Sequence, residues 1–241
     1  MRTTRRAAII MSAAASLSLP AAANAQALAC RVPTTIPVPH ADLPSAEQPR
    51  RVVPIGGYTL AITWAPEYCQ RAKTDPLASF ECTSGNRFGF ALHGLWPDGE
   101  GPEWPQYCKA TALLPPAIIK STLCSTPSAQ LIQHEWAKHG TCTGLTPNEY
   151  FTQSTRLYAR LRYPNMSALS RKPGVTAGDV AKAIAGANPG ISADMMRVTA
   201  NKKGWLDEIW LCLDKALGYR ACPAHQGGLA PDSPIKIWRG R

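Results

Sequence analysis

Apolar and polar residues alternate in two stretches of the first half of the chain. Tyr58, Leu60, Ile62 and Trp64 are interleaved with Thr59, Ala61 and Thr63, the two-residue period of a half-buried strand, and Pro66 closes the run. Phe88, Phe90 and Leu92 repeat the pattern. Their strand runs into His93-Gly94-Leu95-Trp96-Pro97-Asp98-Gly99, with His93 at its end, on the side of Ala91 and opposite the aromatic row. The stretch between the two strands reads as a loop that holds Cys69 and Cys82 close enough for a local bridge. Residues 30–57 carry many prolines and little periodicity, hence an extended lead-in, and the Pro-, Gly- and Trp-rich segment to Pro116 reads as another loop.

Beyond it the period lengthens. Leu131 to Cys142 predicts a helix in which Ile132 and Trp136 face a core, with Ser125 or Thr126 as cap, Pro127 at the first position and Gly140 as the stop. Thr146-Pro147-Asn148-Glu149 is a capping box, and Tyr150, Phe151, Ser154, Leu157, Tyr158 and Leu161 mark the inner stripe of the helix it opens. A shorter helix is expected from Thr176 to about Ala187. Strands are expected over Met196 to Ala200, Trp205 to Asp214 and Ile235 to Trp238.

Composition changes this picture at the N-terminus. Arg2, Arg5 and Arg6 precede a mostly apolar, uncharged run from Ala7 to Leu19, and Ala23-Asn24-Ala25 offers a small-x-small cleavage pattern. Residues 1–25 are therefore read as an export signal, too short to span a bilayer comfortably. Lipid attachment at Cys30 is disfavoured, because Ala27 stands where a lipoprotein signal wants a large aliphatic residue. Residues 26–241 suit one catalytic domain, with 26–57 as its irregular lead-in, in a secreted or periplasmic, monomeric protein with no membrane segment once the signal is removed. Eight cysteines fit an oxidised chain with up to four disulfides, and the absence of any Cys-x-x-Cys pair argues against structural zinc. The formal charge of +10 falls to +7 when three arginines leave with the signal. That excess would attract a polyanion but does not by itself identify one.

The candidate chemistry lies in two clusters. At about 100° per residue, His134, Lys138, Glu135 and His139 share an arc of roughly 140° on the predicted helix, and His93 ends a strand. His-Glu-x-x-x-His is one residue longer than the zinc-protease signature; histidines five apart on a helix diverge by about 140°, which argues against a shared metal. With an even cysteine count in an oxidised chain no free thiol nucleophile is evident, and a serine triad lacks its Gly-x-Ser-x-Gly turn. Acid-base cleavage of a phosphodiester through its own 2′-hydroxyl fits instead. It needs a base, an acid and cations or donors for phosphoryl oxygens, and no metal or cofactor. His40 and His225 sit in no motif and read as structural. Trp96 and Trp104 could stack on a base or fill a core.

These residues resemble a known family. Phe90 to Asp98 and His134 to Cys142 are similar to the two catalytic segments of the ribonuclease T2 family, with looser similarity at Thr63 to Cys69 and from Glu208 to Cys212 with Cys222-Pro223. The resemblance implies an α+β fold, an antiparallel sheet with helices packed on it, stapled by disulfides. It further implies an endoribonuclease acting on RNA with little base preference: His139 as base, His93 as acid, Glu135 and Lys138 stabilising the pentacoordinate phosphorus, and His134 binding phosphate. Trp96 and Asp98 match base-contacting positions. Cys108 with Cys142 and Cys212 with Cys222 resemble family bridges, Cys69 with Cys82 is expected from proximity, and Cys30 with Cys124 remains by elimination. Ile132 stands where the family commonly has an aromatic residue, and 30–57 and the tail after Pro223 fall outside the resemblance. A secreted module that keeps the fold without catalysis is the alternative from a different class, and the retention of both histidines argues against it.

Overall fold

The computed structural model describes residues 27–240, and the expected signal, residues 1–25, lies outside them. Its strands are β1 (Ala27–Ala29), β2 (Ile55–Trp64), β3 (Arg87–Phe88), β4 (Phe90–Gly99), β5 (Met196–Ala200) and β6 (Leu206–Leu213). Its helices are α1 (Ala65–Arg71), α2 (Ser79–Cys82), α3 (Pro116–Thr122), α4 (Ala129–Lys138), α5 (Pro147–Arg160), α6 (Met166–Leu169) and α7 (Ala177–Ala187). The fold is α+β. An antiparallel sheet in the order β4-β2-β6-β5 carries the helices, and β1 pairs with β3 in a small second sheet.

The sheet has one apolar and one polar face. Leu60, Ile62 and Trp64 pair with Leu95, Leu92 and Phe90 on one side, and Leu60 and Ile62 with Leu211 and Ile209 on the other, so these residues share the face that packs on the helices. That core takes in Ile132 and Trp136 of α4 and Tyr150, Phe151, Leu157 and Tyr158 of α5. The opposite face carries Thr59, Thr63, Trp96, Glu208 and Trp210, the pairing partners one step out of phase.

A register shift in β4 serves the polar face. Ala61 pairs with Gly94 and Ile62 with Leu92, which leaves His93 as an extra residue without a partner on β2. Such a bulge bends the strand and re-aims one side chain. It also resets the alternation, so that His93, Trp96 and Asp98 all serve the polar face although an unbroken strand would split 93 from 96. The strand continues through Pro97, which is tolerated because β4 is an edge strand. His93 therefore lies within a strand rather than at its end.

Other differences have local causes. The loop expected after Pro66 is largely helical: α1 follows β2 directly with Pro66 in its first turn, and α2 carries Cys82. Pro116 opens α3, where no element was expected. The cap of α4 is Ser128, whose hydroxyl accepts from Leu131 N at 3.2 Å, rather than Ser125 or Thr126. The backbone of Ser125 is occupied elsewhere, its carbonyl accepting from Leu92 N at 2.9 Å. The helix ends at Lys138 with His139 as its C-terminal cap. Gly140 begins a 3-10 turn and is small because a Cβ there would lie 2.3 Å from the Trp136 ring, not because it takes a left-handed conformation. In place of the strand expected over Ile235 to Trp238 there are isolated bridges, Trp205 with Lys236 and, just before it, Thr176 with Pro234. The capping box of Thr146 with Glu149 is formed, and the structure adds a second, Thr176 with Asp179, at the start of α7.

The disulfides are Cys30–Cys124, Cys69–Cys82, Cys108–Cys142 and Cys212–Cys222, so Cys30 is a structural half-cystine rather than a lipid anchor. Among the described residues no helix is long and apolar enough to cross a membrane. Cys30–Cys124 spans 94 residues and Cys212–Cys222 spans 10. Because a cross-link restricts the unfolded chain more the longer the loop it closes, replacing Cys30 and Cys124 by Ser should lower the unfolding free energy by about 2 kcal/mol more than replacing Cys212 and Cys222. Urea titration of the two double variants measures this; equal losses would contradict it.

Candidate active site

The bulge of β4, the C-terminal end of α4 and the middle of β6 converge on one cluster. His93 Nδ1 donates to Glu208 Oε1 at 2.5 Å, and its Nε2 lies 3.5 Å from Glu135 Oε1. Glu208 is itself fixed: Thr63 Oγ1 donates to Oε1 at 3.0 Å and Trp210 Nε1 to Oε2 at 2.7 Å. With Nδ1 committed to a carboxylate, the Nε2 of His93 is the nitrogen left to face a reacting group.

Glu135 is fully buried. Its Oε2 accepts from Trp96 Nε1 at 2.9 Å. A Cβ on Gly94 would lie 1.7 Å from that oxygen, so glycine beside His93 is what lets the α4 carboxylate approach the strand. The Trp96 ring stacks on His139 at 5.5 Å and 27° and meets His93 edge-on at 5.0 Å, so one indole touches both imidazoles. His134 is 6.3 Å from His139, ring to ring, and its Nδ1 bonds Asp42 Oδ2 at 2.5 Å. Among the described residues, Glu135 Oε1 and His139 Nδ1 are buried with no hydrogen-bond partner. Two unpaired polar atoms in one water-poor cluster mark a place built for a polar group that the chain itself does not supply.

The environments set the two imidazoles apart. Burial pulls His93 down, but the bond to Glu208 and the charges of Glu208 and Glu135 outweigh it and raise His93 to about 9. His139 is held well below 6.5 by burial, then by the charges of Lys138, His134 and His93. Burial lifts Glu135 to about 7, against the pull of His93, Trp96 and Lys138. Burial also lowers Lys138, against Glu135 and Asp42. Near neutrality the cluster thus holds a protonated His93 and an uncharged His139, an acid and a base side by side.

Cavities open on either side. One of about 260 Å³ is walled by Trp96, Asp98, Trp104, Lys138, His139 and Trp210; one of about 600 Å³ by His93, His134, Tyr68, Arg71, Glu81 and Glu208. Asp98 accepts from Thr59 Oγ1 at 2.7 Å, and Thr59 in turn accepts from Gln226 Nε2 at 2.7 Å. Trp104 is 46% exposed beneath the Arg51 guanidinium and is not core. His225, read as structural, is exposed in the wall of the smaller cavity. The His40 backbone meets α4, its N–H donating to Gln130 Oε1 at 2.8 Å and its carbonyl accepting from Gln130 Nε2 at 3.4 Å.

Two observations revise the sequence reading. The angular argument against a shared metal does not hold in the structure: one ligand atom each of His134, Glu135 and His139 lies within 4.8 Å of the others, a spacing that fits one cation. Second, Glu208, Asp42 and Trp210 join the cluster although no local motif marks their roles. The sequence signal that existed for Glu208 was its place in a predicted strand, out of phase with Ile209 and Leu211 and so on the polar face.

Comparison with known proteins now has a geometry to meet. The model of the Ribonuclease T2 family matches residues 55–222. A "Probable ribonuclease" of Haemophilus influenzae is 30% identical over 173 residues, covering 67% of this chain, which spans 59% of that protein's length. A "Ribonuclease" of Aeromonas hydrophila is 30% identical over 163 residues, covering 66% of this chain and 71% of that protein. Among solved structures, RNase NT in complex with 5′-AMP superposes with a TM-score of 0.58 at 25% identity, over 76% of this chain and 98% of that one. Trichomaglin, described as an S-like ribonuclease, reaches the same TM-score at 20% identity, a likeness of fold. With its two motif segments on one site and the family match running from β2 through the last disulfide, the chain belongs to the ribonuclease T2 family.

Proposed function

We propose that this protein is a metal-independent endoribonuclease. It cleaves single-stranded RNA by transphosphorylation to 2′,3′-cyclic phosphates and hydrolyses these to 3′-phosphates, with little base preference. The observation that carries the reading is the opposed protonation of two imidazoles around one indole, His93 raised to about 9 and His139 held well below 6.5.

In this reading His139 takes the 2′-hydroxyl proton. The freed oxygen attacks phosphorus, and the P–O5′ bond breaks as His93 Nε2 gives its proton to the departing oxygen. Lys138 and His134 hold phosphoryl oxygens, and Glu135, whose Oε1 makes no hydrogen bond and whose pKa is raised to about 7, donates to one of them when protonated. The histidines then exchange roles as water opens the cyclic phosphate. The cavities beyond His139 and His93 suit the two nucleosides joined by the scissile phosphate, with Trp96 and Asp98 in the wall on the 2′-hydroxyl side. Because the attacking oxygen belongs to ribose, DNA is resistant. The disulfides and the leader-like residues 1–25 support a secreted or periplasmic protein whose residues 26–241 act as one monomeric catalytic domain.

His93→Phe or His139→Phe should leave the thermal midpoint close to wild type and reduce kcat on a dinucleotide such as CpA by about 10²–10⁴-fold. Near-normal turnover in either variant would count against the assignment. RNA should be cut in excess chelator with cyclic-phosphate ends detectable before 3′-phosphates, and a DNA strand of the same sequence should survive. Loss of activity on chelation would instead favour a bound cation at His134, Glu135 and His139. The pH profile of kcat/KM should keep its alkaline limb near 9, where His93 loses its proton, and its acid limb below 6.5, where His139 gains one. Glu208→Gln removes the charge that raises His93, so the alkaline limb should move to lower pH; an unmoved limb would refute that role of Glu208.

A further inference from the structure

One acidic group enters the site from outside the segment that the family shares. Residues 27–54 precede the matched region, yet they are tied down on the α4 side of the molecule. Cys30 is bonded to Cys124, and Lys120 Nζ donates to Thr34 O at 2.5 Å. His40 N donates to Gln130 Oε1 on α4 at 2.8 Å. Further on, Arg51 and Gln106 exchange two backbone bonds of 2.9 Å, and Gln106 Nε2 donates to Pro49 O at 2.7 Å.

Between these ties Asp42 bonds His134 Nδ1 at 2.5 Å, both side chains partly buried at 20% and 27% exposure. The aspartate is also held by the Tyr107 hydroxyl, which donates at 3.3 Å to Oδ2, the oxygen bonded to His134, and at 3.5 Å to Oδ1. Tyr107 is itself placed with care: it adopts a left-handed backbone, φ 50°, and its N–H donates to Lys138 O at 2.8 Å. A buried tyrosine in that conformation is strained unless its surroundings fix it.

An imidazole bound at Nδ1 by a carboxylate has one ring orientation and one free nitrogen. To donate to a phosphoryl oxygen that Nε2 must carry a second ring proton; burial, with Lys138 and His93, holds His134 below the usual imidazole range, and the Asp42 charge and hydrogen bond are what work against them. We propose that Asp42 is a positioning residue for substrate phosphate, fixing the His134 ring through Nδ1 and supplying the counter-charge that lets Nε2 donate to a phosphoryl oxygen. Residues 27–54 are then part of the site. The inference rests on the ribonuclease reading for its substrate, but not for its geometry.

The test is Asp42→Asn, which keeps an acceptor for Nδ1 and removes the charge, with Asp42→Ser read in the same way should the amide not be accommodated. KM for CpA should rise about tenfold while kcat changes less than about threefold, and competitive inhibition by inorganic phosphate should weaken by a similar factor. In a His134→Ala background the same substitution should add nothing, because the two residues act as one unit. An unchanged KM and phosphate affinity, or an equal loss with and without His134, would overturn the proposal. If the wild-type protein does not cut RNA, the functional reading fails separately, and phosphate binding measured by calorimetry on the same variants still decides the role of Asp42.

Discussion

The site depends on a difference in what surrounds two like groups. Carboxylate oxygens face His93, at 2.5 Å from Glu208 and 3.5 Å from Glu135, whereas His139 is buried beside Lys138 and His134 with no acid bonded to its ring. The same side chain therefore favours its protonated form on β4 and its uncharged form at the end of α4. Low solvent access strengthens each of these interactions and makes the contrast possible. It also explains why so much of the neighbourhood is committed to holding carboxylates, with Thr63 and Trp210 on Glu208 and Trp96 on Glu135.

Backbone geometry delivers these groups. The bulge at His93 lets a strand that buries Phe90, Leu92 and Leu95 present His93, Trp96 and Asp98 on its other face. His139, the cap of α4, holds its ring 6.3 Å from that of His134, and Gly94 leaves the gap through which Glu135 reaches. Disulfides pin the surrounding segments: Cys108–Cys142 lies just past His139, and Cys30–Cys124 holds the N-terminal strap beside α4.

Elements whose cause is local were legible in the sequence. The alternation of β2, the stripe of α5 and the capping box of Thr146 and Glu149 follow from side-chain period and from hydroxyl-to-amide bonds within four residues. The motif residues of the cluster were legible as well, because His93 and the group from His134 to His139 are dense in sequence. What escaped has non-local causes. Ser128 caps α4 because the Ser125 carbonyl is taken by β4. The approach of His134 to His139 depends on side-chain directions that the 100° rule does not contain. Asp42 and Glu208 lie 92 and 115 residues from the histidines they hold, and only the folded chain brings them there.

The strand that carries His93 is also the outermost strand of its sheet, where exposed amide and carbonyl groups invite another chain to add itself. Here that invitation is withdrawn. The bulge breaks the straight run, Pro97 has no amide to offer, and the Leu92 amide is already satisfied by the Ser125 carbonyl. The irregularities that aim an imidazole thus also make the margin of the sheet a poor template for fibrous self-association.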